Sequence, residues 1–144
     1  MKLGEIQELW AADSEIDRSE LGNASLKLPK LHSKYFNIFS KERLLLRKLE
    51  EDLKYLKRLK YEYYDGTLDQ ETLKEYNWDP NPRKILRADL NQYIDSDKDI
   101  INDTLKIAYQ KEKVEFLESC IRAINTRGFV IKNAIEWEKF KVGV

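Results

Sequence analysis

Residues 29–66 read PKLHSKYFNIFSKERLLLRKLEEDLKYLKRLKYEYYDG, and this stretch decides the fold. From Pro29 to Tyr64 no Gly and no further Pro interrupts it, which gives about 35 residues, or roughly 50 Å of helix at 1.5 Å per residue. Pro29 suits the first helical turn, where its missing N–H costs nothing. Asp65-Gly66 supplies the stop, with Gly66 free to take a positive φ at the C-cap. Leu31, Tyr35, Ile38, Glu42, Leu45 and Leu49 alternate steps of four and three, a heptad seam; Leu53 and Leu56 continue it after an extra step of four. One small globular core does not stabilise so long a helix, so a partner helix is expected along it.

The partner lies at the other end of the chain. Between about Asp97 and Phe140, Val114, Leu117, Ile121, Ile124, Gly128, Ile131 and Ile135 keep the same three-four alternation. Gly128 costs about 1 kcal/mol of helix propensity against Ala, and close approach of a second backbone would offset that. Two long helices joined by a turn-rich segment predict an all-α fold, an antiparallel helical hairpin or coiled coil with short accessory helices. A single helical domain spans 1–144: an N-terminal segment (1–26), a long helix (27–66), a linker with short helices (67–96) and a C-terminal helix (97–141). Within these, Leu3, Ile6, Leu9 and Trp10 mark a helix over 3–12 that Asp13-Ser14-Glu15 breaks. Ser19 opens a further turn that Gly22 weakens. Thr67 is expected to cap a turn running to Tyr76, Trp78-Asp79-Pro80-Asn81-Pro82 reads as a turn, and 83–94 as a short helix carrying Ile85, Leu86, Leu90 and Ile94.

Composition narrows the class. With 5 Gly and 3 Pro in 144 residues, turn chemistry is too sparse for a β-sandwich or barrel. One Cys excludes a disulfide framework and points to a reduced, cytoplasmic setting. The first residues meet Glu5 before any apolar run, so no signal peptide is expected, and no stretch has the roughly 20 apolar residues of a membrane span. The formal net charge of +0 conceals an uneven distribution: −4 over residues 1–26, +7 over 27–61, −5 over 62–79 and +2 over 80–144. A neutral chain therefore carries one strongly basic element that calls for an anionic partner or an acidic neighbour.

Catalytic chemistry finds no foothold. His32, the single histidine, has no Asp or Cys within a turn, and Cys120 sits beside the apolar seam with no base to ionise it. No glycine-rich phosphate loop occurs, so an enzyme is not expected, nor a cofactor. Asp95, Asp97 and Asp99 match positions one, three and five of a calcium loop, but Ile100 stands where Gly is required and Lys106 where a bidentate Glu is required. They suit the N-cap and first turn of the last helix instead, and no metal is expected.

The basic stretch Lys54-Tyr55-Leu56-Lys57-Arg58-Leu59-Lys60-Tyr61-Glu62-Tyr63-Tyr64 combines four cations and four tyrosines. Lys54, Lys57 and Arg58 share one helix face; Lys57, Lys60 and Tyr61 share an adjoining one. Cations hold phosphates without reading sequence, and Tyr61, Tyr63 or Tyr64 would offer faces on which unpaired bases stack. A solvated coiled-coil face, with cations complementing the helix C-terminus, fits the same residues.

Four stretches go further: Ile16-Asp17 with Leu21; Leu31-His32-Ser33-Lys34-Tyr35; Arg58-Leu59-Lys60 leading to Tyr63-Tyr64-Asp65-Gly66; and Ala123-Ile124-Asn125-Thr126-Arg127-Gly128-Phe129-Val130-Ile131-Lys132. In order and spacing they resemble the UvsY family, recombination mediators of T-even-like phages. The resemblance implies a small helical subunit that closes into a homo-oligomeric ring of six or seven copies. It implies binding to single-stranded DNA, to the phage RecA-like recombinase and to the phage single-strand-binding protein, in the cytoplasm of the infected bacterial host and away from any membrane. By the same likeness, Arg58 and Lys60 stand where the family has a DNA-binding Lys and Arg, with the residue types exchanged, while Lys54 and Lys57 supply supporting charge. The family's C-terminal region drives assembly, which assigns the Val114–Ile135 seam to oligomerisation. Residues 67–113 match little of the family pattern. The expected function is a recombination mediator that loosens the single-strand-binding protein and helps load the recombinase. The alternative is a structural coiled-coil oligomer or phage assembly chaperone that binds protein only.

Overall fold

The structure, a computed structural model, describes residues 1–81 and 85–143. Among the described residues six helices occur: α1 (Leu3–Asp13), α2 (Leu21–Leu26), α3 (Leu28–Asp65), α4 (Gln70–Glu75), α5 (Leu90–Asp95) and α6 (Lys98–Lys141), with 3-10 turns at Arg18–Glu20 and Arg87–Asp89. No strand forms among the described residues, so the fold is all-α. Pro29 sits in the first turn of α3, and Gly66 ends it with φ at +83°. Asp97 starts α6, its carboxylate accepting the N–H groups of Asp99 and Ile100 at 2.9 and 3.2 Å. The start of α4 differs from expectation. Asp69, not Thr67, caps it, because its carboxylate reaches the Thr72 N–H at 3.2 Å and the Thr72 hydroxyl at 2.6 Å. Pro82 of the expected turn and the first residues, 83–84, of the expected helix lie outside the described residues; regular helix begins at Leu90.

Two compact units divide the residues. The first comprises Met1–Leu44 and Gln110–Val144. Its core gathers Ile6 of α1, Tyr35 and Phe39 of α3, and Val114, Leu117, Cys120, Ile124 and Ile131 of α6, all buried. Leu28 lies against Gly128, and Glu42 against Gln110 and Lys113, so α3 and α6 run antiparallel here. This packing covers part of the stripe expected to serve oligomerisation. Val114, Leu117, Ile124 and Ile131 are consumed by the subunit's own core, and Ile121 and Ile135 are half-buried. The stripe is thus partly spent within the chain, while Ile121, Gly128 and Ile135 stay partly or fully open. Gly128 also lacks its expected role, since a Cβ there would meet only a Leu28 methyl at 3.8 Å, an ordinary contact. Within this unit's part of α6, Phe129, Val130, Trp137 and Phe140 are the large apolar side chains left exposed.

Buried charges in this unit find partners, except that the Arg127 Nε makes no hydrogen bond among the described residues. Glu42, on the expected seam, accepts from Gln110 Nε2 at 2.7 Å and lies 3.1 Å from the Lys113 ammonium, which also donates to the Met1 carbonyl at 2.9 Å. The Tyr35 hydroxyl donates to Asp13 at 2.8 Å, and Lys34 pairs with the same carboxylate at 2.7 Å. Arg127 donates to the Asp13 and Glu15 carbonyls at 2.6 and 2.7 Å, tying α6 to the end of α1. Cys120 is core, its thiol pushed up to about 11 by burial. Leu45 departs from the seam and faces solvent. A strict 3.5-residue period drifts around a 3.6-residue helix, and half-buried Leu46 turns inward instead.

The second unit, Leu45–Tyr109, buries Leu59, Leu90, Ile94, Ile100 and Ile107. Lys60 meets Asp97 and Asp99, while Leu49 and Asp52 line one cavity with Asp103 and Lys106, so α3 and α6 are antiparallel in this unit too.

These pairs set an acid limit. For Glu42, Asp13 and Asp97, burial alone would raise the carboxyl; hydrogen bonds from Gln110 and Lys113, from Lys34 and Tyr35, and from Tyr64 and Lys60 outweigh it and hold each below the usual range. A depressed folded pKa contributes stability that is present above the unfolded value, about 4, and is lost as pH falls through the folded one. The thermal midpoint should therefore hold from pH 7 to about 5 and drop steeply below about 4. A midpoint flat to pH 3 would mean that these carboxylates contribute nothing.

Candidate nucleic-acid interface

The last turns of α3 sort their cations by side. At 100° per residue, Lys54, Arg58 and Tyr61 fall on one face, with Lys57 at its flank. That face is solvent: Lys54, Lys57 and Arg58 are exposed, as is the Tyr61 ring. The Arg58 side chain, 67% exposed, lies 3.7 Å from Glu62 and rests over the Tyr55 ring at 5.6 Å. Lys54 pairs with Glu51 at 2.9 Å, both ends in water, where such a contact contributes little. Lys57 joins no ion pair among the described residues.

Lys60 stands apart from them, and its expected contact with phosphate requires correction. It is 4% exposed, with its ammonium 3.1 Å from Asp97, 2.9 Å from Asp99 and 3.8 Å above the centre of the Trp78 ring. Lys60 follows Leu53 and Leu56 on the packed stripe by steps of three and four, which carries its side chain inward. Two carboxylates and an aromatic face already occupy the charge, so no phosphate reaches it in this conformation.

Tyr63 and Tyr64, expected as stacking surfaces, are also engaged by the protein. Their rings pack edge to face at 5.1 Å; Tyr63 meets Trp78 at 5.4 Å, and Tyr64 meets Tyr93 at 5.8 Å. The Tyr63 hydroxyl donates to the Asp79 carbonyl and the Tyr64 hydroxyl to Asp97 at 2.6 Å. Burial and the Asp97 carboxylate push the Tyr64 phenol well up. Of the tyrosines singled out in the sequence, Tyr61 alone keeps an exposed ring here.

The sequence reading missed Tyr55 and the 67–81 segment. That segment folds back on α3: Trp78 covers Lys60, and Tyr76 stacks on Trp78 at 4.8 Å and 24°. Tyr55, three residues before Arg58, carried a usable signal, because i and i+3 share a helix face. Tyr76 carried none, since nothing local says which part of α3 it meets.

Comparison with known proteins agrees with the helical architecture. The model of the family described as recombination, repair and ssDNA binding protein UvsY matches residues 9–144. A recombination protein uvsY of Enterobacteria phage T4 is 24% identical over 143 residues, covering 99% of each chain. One crystal structure of the bacteriophage T4 recombination mediator protein UvsY superposes with a TM-score of 0.85 at 24% identity, over 97% of this chain and 99% of that one. A second lattice of the same protein gives 0.85 at 22% identity, over 99% and 98%. With a family model matched from residue 9 to the last residue, the chain belongs to the UvsY family of recombination, repair and single-stranded-DNA-binding proteins.

Proposed function

We propose that this chain is a recombination mediator that grips single-stranded DNA through the exposed Lys54, Lys57 and Arg58 face of α3, loosens a single-strand-binding protein from the strand and helps a RecA-like recombinase to load. The observation that carries the proposal is the sorting of charge on α3: three cations in water on one face, with the fourth, Lys60, neutralised within the fold. Phosphate contact thus moves from the Arg58–Lys60 pair to Arg58, Lys57 and Lys54, with Tyr61 beside them. Three cations hold a strand weakly. A homo-oligomer of six or seven copies multiplies the grip, because once one subunit is bound the next acts at high effective concentration. The contacts between copies fall to the exposed Phe129, Val130, Trp137 and Phe140 of α6, since aromatic anchors left in water are the side chains an interface uses. The work is done in the cytoplasm of the infected host.

The test starts from a single strand saturated with single-strand-binding protein. Recombinase added to it should show a lag in strand-dependent ATP hydrolysis, and this protein should shorten that lag. An unchanged lag, with the protein failing to retard a labelled strand in a gel, would favour an assembly factor that binds protein only.

A further inference from the structure

We propose that Tyr55 and Tyr76 form a stacking platform for the unpaired bases of the strand whose phosphates lie on Arg58, Lys57 and Lys54; this rests on the DNA-binding function proposed above. Both rings are open, Tyr55 being 53% and Tyr76 39% exposed. They come from segments 21 positions apart, yet both meet the last turns of α3: Tyr55 belongs to them, and Tyr76 reaches them through Trp78, which lies on Lys60 and Tyr63 about one to two turns along the helix from Tyr55. The Tyr76 phenol is pushed up by partial burial and then by the neighbouring Tyr55 and Glu75. Each ring is held by a different device. Tyr55 lies under the Arg58 guanidinium, with ring centre and cation 5.6 Å apart. Tyr76 stacks on Trp78, whose indole is itself fixed by the Lys60 ammonium at 3.8 Å and by the Tyr63 ring at 5.4 Å.

This arrangement gives the buried cation a purpose. Lys60, clamped by Asp97 and Asp99, anchors Trp78, and Trp78 presents Tyr76 at the surface. Lys60 thus acts as a positioning residue. The order of side chains around α3 suits one strand orientation: Lys57, Lys54 and Arg58 succeed one another, and Tyr55 follows on the far side of Arg58. Glu62, beside Arg58, and Glu75, beside Tyr76, border the tyrosine side. Carboxylates there repel phosphates and tolerate bases, which directs the backbone to the cation side and the bases to the rings. Base–aromatic stacking is insensitive to sequence because every base has a π-face, which suits a protein that must act on any strand.

The experiment compares two probes of equal length, an oligothymidylate and an abasic oligonucleotide with the same phosphates. Full-length protein carrying Tyr55→Leu and Tyr76→Leu should bind oligothymidylate about tenfold or more weakly than wild type, with an unchanged salt slope. It should bind the abasic strand as wild type does. Tyr55→Phe with Tyr76→Phe keeps the rings and should restore wild-type affinity for oligothymidylate, separating stacking from the phenol hydroxyls and from any fold defect. Wild-type affinity in the Leu variant, or an equal loss on both probes, would overturn the platform while leaving the phosphate grip standing. Wild-type protein with no salt-sensitive hold on either probe would remove the DNA-binding function, and the platform with it.

Discussion

Lys60→Met is expected to destabilise the fold by about 3 kcal/mol, whereas Arg58→Ala, two residues earlier, should cost less than about 0.5 kcal/mol. The cause is the difference in surroundings. Removing Lys60 leaves Asp97, 8% exposed, with no cation, and a buried carboxylate stripped of its partner costs several kcal/mol. The lower end of that range applies because Asp97 keeps the Tyr64 hydroxyl and two backbone N–H groups, and Asp99 is half in water. For a chain of this length, the loss corresponds to a fall of roughly 6–12 °C in thermal midpoint. Arg58 gives up only an exposed 3.7 Å contact with Glu62 and its stacking on Tyr55. Adding Asp97→Asn to Lys60→Met should recover part of the loss, since Asn still caps a helix and no buried charge is left unpaired. Circular dichroism melts of the four proteins check this. Equal midpoints for wild type and Lys60→Met would mean that the buried ion pairs contribute nothing.

The same pair of residues marks the limit of what the sequence discloses. Local signals placed α3 and α6 well. Pro29 and Gly66 bracket the first, and Asp97 caps the second, because caps act through backbone groups a few residues away. Period alone named the apolar face of α6 from Val114 to Ile131 but not what covers it. A stripe of isoleucines packs equally well on another subunit or on the chain's own N-terminal half, and here the chain itself supplies the cover. Charge was legible as a total, not as a geometry. Lys60 extends the stripe of Leu53 and Leu56, so its inward direction was readable, but Asp97 lies 37 positions away and Trp78 18, beyond any local rule. Glu42 teaches the same point: a charge on the seam signals a buried partner, and Lys113 is that partner. The tyrosines failed for a related reason, since spacing gives a ring its side of the helix and not its neighbours. Tyr63 and Tyr64 are spent on Trp78, Tyr93 and Asp97, while Tyr55 remains open.

The second large effect concerns the strand. Replacing Lys54, Lys57 and Arg58 together by Ala removes every cation in the Lys54–Tyr64 stretch that a phosphate reaches. All three are exposed, and the partners they release, Glu51 and Glu62, are not buried, so the fold should be retained. Single-strand binding draws its free energy largely from release of condensed counterions, with a slope near −0.7 per phosphate neutralised. Three lost contacts flatten the slope of log affinity against log salt by about 2 for each subunit engaged, and weaken binding at 0.1 M salt on the order of 100-fold. In the proposed homo-oligomer the loss would be multiplied, because linked subunits would share one strand. The most direct measurement is therefore fluorescence anisotropy of a labelled oligothymidylate from low to moderate salt, for wild type, for Lys60→Met and for the triple variant. We predict parallel lines for the first two proteins, with Lys60→Met the lower of the two because Tyr76 loses its support, and a much flatter line for the third. A triple variant that folds, assembles and follows the wild-type line would contradict the account, because the exposed face of α3 would then not hold the DNA.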